Sequence, residues 1–135
     1  MSSLSLQVRG LLLLACAWVF SACSASASDA RVSLDEGRAL LESGQVLVFD
    51  IREPTEHATG VAAGTQLLPM SQLNGRISEI PQDPDQPVLL ICKTQNRSAR
   101  VVDALREAGW TNVRFIEGGM SDWARRGWPM VAPVY

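Results

Sequence analysis

The chain has 135 residues, 12 basic and 14 acidic, for a formal net charge of −2, with one histidine and three cysteines. That length makes one compact domain, and the acidic balance argues against general binding to nucleic acid or anionic lipid. A single histidine and three scattered cysteines offer no ligand set for a metal centre, and no cofactor is expected.

In chain order, Arg9 precedes an apolar run from Gly10 to Phe20, followed by the small residues Ser21 to Ser28. This is the pattern of an export signal, and the run is shorter than the ~20 residues a spanning helix needs. Two processing modes fit. Ala25-Ser26-Ala27 is an A-x-A site, giving a signal over 1–27 and a soluble domain over 28–135 with charge −3 once Arg9 is lost. Phe20-Ser21-Ala22-Cys23 resembles a bacterial lipobox, with removal of 1–22 and lipidation of Cys23, although Phe20 stands where an aliphatic residue is usual. Either mode predicts a bacterial periplasmic protein, soluble or lipid-anchored, that meets a membrane only through that anchor. Cys16 leaves with the leader and Cys23 is removed or acylated. Cys92 is then the one thiol of the mature domain, and an intrachain disulfide is excluded.

Ser33-Leu34-Asp35-Glu36 reads as a capping box, starting a helix that stops near Gly44. Val46 to Phe49 is a buried strand ending at Asp50. Pro54 to His57 is a helical turn that leaves His57 partly exposed. A loop with Gly60 and Gly64 leads to the short apolar segment Leu67-Leu68, and Ser71 to Ile80 is an amphipathic helix interrupted by Gly75. The proline-rich stretch Pro81 to Pro87 is a loop. Val88 to Ile91 is the second strong strand. Ser98 caps a helix to about Ala108 with Gly109 following it, Val113 to Ile116 is a further strand, and Met120 to Arg125 is a last short helix. Strands alternating with helices predict an α/β domain, a central parallel sheet with helices on both faces. Its ligands belong beyond the carboxyl ends of the strands.

Cys92 occupies such a place. An apolar strand delivers it into the polar loop Lys93-Thr94-Gln95-Asn96-Arg97-Ser98, and a helix begins where the loop ends. A cysteine facing a helix N-terminus or cationic side chains is favoured as the thiolate, and successive loop amides form an anion-binding nest. Lys93 is the only lysine in the chain, and Arg97 closes the loop. The alternative, that Cys92 is a small core residue, is outweighed by these neighbours. Asp50 and Arg52 read as a pair that supports the end of the first strand. Trp110, Trp123 and Trp128 read as packing residues, and Arg125-Arg126 as a solvated helix end.

Three segments resemble a known family. Asp50-Ile51-Arg52-Glu53-Pro54-Thr55-Glu56 is similar to the D-V-R-x-x-x-E signature of rhodaneses, and Cys92 to Ser98 to their active loop, C-x-x-x-x-R-S. Glu117 to Pro129 is similar to their E-G-G-x-x-x-W-x-x-x-G-x-P segment. The resemblance covers Val32 to Met130 and implies a single rhodanese-like domain acting as a monomeric thiosulfate sulfurtransferase. It implies that Cys92 takes sulfur as a persulfide from a small anionic donor and gives it to a thiol or cyanide. Lys93, Thr94, Gln95, Asn96, Arg97 and Ser98 would bind the donor, through loop amides and the Arg97 and Lys93 charges. Two departures stand out. Gln95 replaces a common glycine, which predicts a conformational cost if φ is positive there, a narrower pocket and slower turnover. Gly60-Val61-Ala62-Ala63-Gly64-Thr65 replaces G-H-I-P-G-A and lacks its histidine.

Two rival readings remain. A cysteine phosphatase or arsenate reductase places five residues between cysteine and arginine, and here there are four. A periplasmic persulfide-carrying or binding module with a protein partner would keep the same loop.

Overall fold

The computed structural model describes residues 30–135, so the export segment expected in residues 1–27, with Cys16 and Cys23, lies outside the described residues. The elements are β1 (Arg31–Val32), α1 (Leu34–Ser43), β2 (Leu47–Asp50), α2 (Pro54–His57), β3 (Gln66–Leu67), α3 (Leu73–Arg76), β4 (Val88–Ile91), α4 (Asn96–Glu107), β5 (Val113–Ile116) and α5 (Gly119–Arg125). The five strands form one parallel sheet in the order β1-β5-β4-β2-β3.

Local chemistry sets the helix ends. The Ser33 hydroxyl accepts from the Glu36 N–H at 3.2 Å, and Gly44 closes α1 in the left-handed region at φ 69°. The expected helix over Ser71 to Ile80 is broken into a 3-10 turn at Met70–Gln72, the four residues of α3, and a second 3-10 turn at Ile77–Glu79. Leu73 and Ile77 pack on the sheet. Gly75 weakens the helix, and Ile80, extended and buried ahead of Pro81, ends it. Strand β1 was not foreseen, because two residues carry no periodicity.

Side chains alternate across the sheet. Phe49, Ile51, Leu90 and Phe115 face the layer of α4 and α3, with Val101, Val102 and Leu105 against them. Val48, Leu89, Ile91 and Ile116 face the layer of α1 and α5, with Leu34, Leu41, Met120 and Trp123. Strand β4 is buried on both faces, which is why its sequence is an unbroken apolar run. Each such aliphatic side chain contributes about 1.5–3 kcal/mol of burial, so the centre of the sheet is the firmest platform for a loop. Trp128 meets Trp123 edge to face at 4.9 Å, under the Arg38 guanidinium at 4.6 Å. Arg126 is not merely solvated: it pairs with Asp35 at 2.7 Å and tethers α5 to α1.

Candidate active site

The chain leaves β2 toward β3 on one side and leaves β4 toward β5 on the other, so a crevice opens at the carboxyl ends of β2 and β4. This is the topological switch point where open α/β sheets bind ligands. The two strands end level, with Asp50 beside Ile91 and the Ile51 N–H donating to the Ile91 carbonyl at 2.9 Å. The D-I-R and C-K-T segments therefore meet, although 40 residues separate them.

Cys92 lies two residues past Leu90, so the alternation carries its side chain to the α4 face, where it joins the core cluster with 1% of its surface exposed. The Ser98 N–H donates to Sγ at 3.4 Å, and the Ser98 hydroxyl lies 3.3 Å from it. That N–H is one of the first-turn donors that no helical carbonyl satisfies, and the axis of a twelve-residue helix adds its positive end. The hydroxyl also donates to the Gln95 carbonyl at 3.0 Å. Its single proton can thus serve Gln95 while sulfur is a thiol, or turn to sulfur when it is an anion.

Ser98 is not the helix cap that the sequence predicts. Helix α4 starts at Asn96, with Gln95 in the cap position at φ 156° and ψ −18°. Ser98 sits inside the first turn, fully buried, because its hydroxyl is drawn to the sulfur rather than to an amide of its own turn. Lys93, Thr94 and Asn96 are exposed, while Gln95 and Arg97 are half-buried. The Gln95 side chain turns to the start of α5, where its Oε1 accepts from the Gly118 N–H at 2.8 Å.

The start of α5 forms the other wall. The Met120 N–H donates to the Cys92 carbonyl and the Ser121 N–H to the Lys93 carbonyl, both at 2.8 Å. Gly119, at φ 61°, lets these chains touch.

Arg97 is held by Glu56, a residue to which the sequence reading assigned no role. Its Nη1 and Nη2 donate to the two Glu56 oxygens at 2.8 and 2.6 Å. The Arg97 hydrogen bond holds the Glu56 carboxyl down to about 2 from 4.5, and the carboxylate in turn raises the Arg97 pKa. The signal for Glu56 was available, since it closes the D-x-R-x-x-x-E segment, but its partner lies 41 residues away. Because the folded pKa is depressed, the pair's stabilisation is complete above pH 4.5 and is lost as pH falls from there through about 2. Both side chains keep some solvent contact, which trims the contribution to about 1–2 kcal/mol. Urea midpoints measured from pH 7 to pH 2 should fall across that window, and Glu56→Gln should flatten this component of the fall.

Asp50 and Arg52 form a buried pair. The Arg52 Nη2 meets Asp50 Oδ2 at 2.6 Å, and the guanidinium also donates to the carbonyls of Glu56 and Gly60. His57 corrects the sequence expectation: it is fully buried, not partly exposed. Its Nε2 lies 3.4 Å from Asp50 Oδ1 and its Nδ1 3.2 Å from the Tyr135 hydroxyl. The reason is the C-terminal segment, which pairs Val131 with Val61 and lays Tyr135 over the imidazole. No sequence periodicity announces that return.

A cavity of about 280 Å³ opens between α2 and α5 beside Lys93, with Glu56, Thr59, Met120, Ser121 and Met130 on its walls. Arg52 and Arg97 are each committed to a carboxylate, whereas Lys93 has no ion-pair partner among the described residues. Among these residues no group of side chains is arranged to hold a metal, and no helix is long and apolar enough to cross a membrane.

Comparison with known proteins agrees with this fold. The family model of the Rhodanese-like domain matches residues 33–126. A sulfurtransferase of Allochromatium vinosum is 39% identical over 94 residues, covering 70% of this chain and 86% of that protein. The human thiosulfate:glutathione sulfurtransferase is 28% identical over 107 residues, covering 70% of this chain and 93% of its own. The crystal structure of a rhodanese-related protein from Thermoplasma volcanium matches with a TM-score of 0.66 at 28% identity, over 76% of this chain and 98% of that one.

Proposed function

The chain belongs to the Rhodanese-like domain family, and on that premise we propose that it is a sulfurtransferase working through a persulfide on Cys92. The observation that carries this reading is the Cys92 sulfur receiving the Ser98 N–H at the start of α4. The Cys92 thiolate attacks the outer sulfur of thiosulfate, or a related sulfur anion. A Cys92 S–S bond forms, the donor's own S–S bond breaks, and sulfite leaves with the bonding electron pair. A thiolate or cyanide then attacks the outer sulfur of the persulfide and regenerates the Cys92 thiolate. The loop amides from Lys93 to Ser98, with Thr94 and Asn96 at the rim, stabilise the anionic outer sulfur.

The charges divide the work. Arg97, locked to Glu56, shapes the loop and supplies little net positive charge. Lys93, without such a partner, draws the sulfonate end of the donor. Lys93→Ala is expected to raise the thiosulfate KM by about three- to tenfold with a smaller change in kcat, and added salt should narrow the difference. Steady-state kinetics at two ionic strengths measure both effects.

The leader pattern in residues 1–27 supports a periplasmic site of action, where Cys92 is the one thiol of the mature domain. Mass spectrometry of the exported protein, before and after thiosulfate, tests the whole reading. The expected result is a mass gain of one sulfur atom that cyanide removes. No gain would turn the reading toward a module loaded by a protein partner, and the starting mass reports cleavage after Ala27 or acylation at Cys23.

A further inference from the structure

We propose that Gln95 is a positioning residue, a side-chain latch that holds the Cys92 loop against the start of α5; this rests on the sulfurtransferase reading above. Gln95 is the one non-glycine with positive φ among the described residues, at φ 156° and ψ −18°. A conformation of that kind persists only where the surroundings over-determine it. Three contacts do so here. The Gln95 carbonyl accepts from the Ala99 N–H at 2.8 Å and from the Ser98 hydroxyl at 3.0 Å, and its Oε1 accepts from the Gly118 N–H at 2.8 Å.

The first two contacts belong to the α4 turn, and a glycine would keep them. The third belongs to the glutamine side chain alone. Helix α5 and its N-cap residue offer the loop three amides, and two of them hold the backbone carbonyls of Cys92 and Lys93. The third, on Gly118, reaches the middle of the loop only through the Gln95 carboxamide. Gln95 also sets the Ser98 hydroxyl, whose other neighbour is the Cys92 sulfur. The latch therefore anchors, through one side chain, the residue whose backbone carbonyl holds the Ser98 hydroxyl beside the sulfur. On this proposal removing the side chain relieves strain and forfeits the alignment, so Gln95→Gly slows transfer where the sequence alone predicts a gain.

Gln95→Met and Gln95→Gly separate the two effects in the full chain. Methionine keeps the length and the strain but cannot accept at that strength; glycine removes both strain and latch. Each variant should lose about three- to tenfold in kcat for sulfur transfer, with the thiosulfate KM within about twofold of the parent. Hydrogen exchange at the Gly118 amide should accelerate in both, and the amide resonances of residues 93–98 should move. These two measurements use no sulfur donor, so they test the latch even if the parent takes up no sulfur, a result that would sink the sulfurtransferase reading instead. An unchanged Gly118 exchange rate in both variants overturns the latch. A glycine variant as fast as the parent, or faster, overturns its role in positioning.

Discussion

Cys92→Ser is expected to abolish sulfur transfer and leave the fold in place. Oxygen differs from sulfur here in two ways. A serine hydroxyl is far harder to ionise near neutral pH, so it needs a neighbouring base, and an alkoxide cannot hold the donor's sulfur as a persulfide. The single histidine, His57, gives no such base: it is buried at the end of α2, with its ring nitrogens facing Asp50 and Tyr135. Activity should fall by more than about a thousandfold. Stability should fall by no more than about 1–2 kcal/mol, because the Ser98 N–H and hydroxyl remain to satisfy the buried oxygen. Protein mass after thiosulfate and thiocyanate formation with cyanide read the first effect, and urea unfolding reads the second. Thiocyanate above background from folded Cys92→Ser protein would place the nucleophile elsewhere.

What could be read in the sequence followed from signals that are local. The unbroken apolar runs of β2 and β4, the Ser33 cap and the Gly44 stop placed their elements within a residue or two. The alternation that sends Leu90 and Cys92 to the same face is equally local, and it alone aims the sulfur at α4. The misses are contacts between distant segments. Ser98 looks like a cap in one dimension, and only the sulfur six residues back makes it a buried partner instead. Glu56 gains its role from Arg97, His57 from the returning C-terminus, and the Gln95 carboxamide from Gly118. A positive φ at Gln95 was foreseeable as a cost. What holds that conformation in place was not, since it depends on where α5 begins.

Gly119→Ala is expected to be the most damaging single-methyl change in the domain. A Cβ there would sit 2.5 Å from the Cys92 carbonyl oxygen and 2.7 Å from the Lys93 carbonyl carbon and oxygen, at a backbone φ of 61°. None of those atoms is a flexible side-chain end. Both carbonyls are fixed by the Met120 and Ser121 amides, so relief means moving the loop or the helix. The left-handed backbone costs about 1–2 kcal/mol and the overlap about 1–3 more, a total of roughly 2–5 kcal/mol. That corresponds to a fall in Tm on the order of 10–20 °C or more. Gly75→Ala is the contrasting case, since nothing lies within 4 Å of its added methyl; it should gain about 0.5–1 kcal/mol inside α3. Thermal unfolding of both variants checks the pair, and a Gly119→Ala midpoint within about 2 °C of the parent would show that loop and helix can part freely. The overlap falls on the Cys92 carbonyl itself, so sulfur transfer should also drop well below the midpoint temperature, where the variant is still folded. Loss of activity ahead of loss of structure is what a nucleophile positioned by the start of α5 requires.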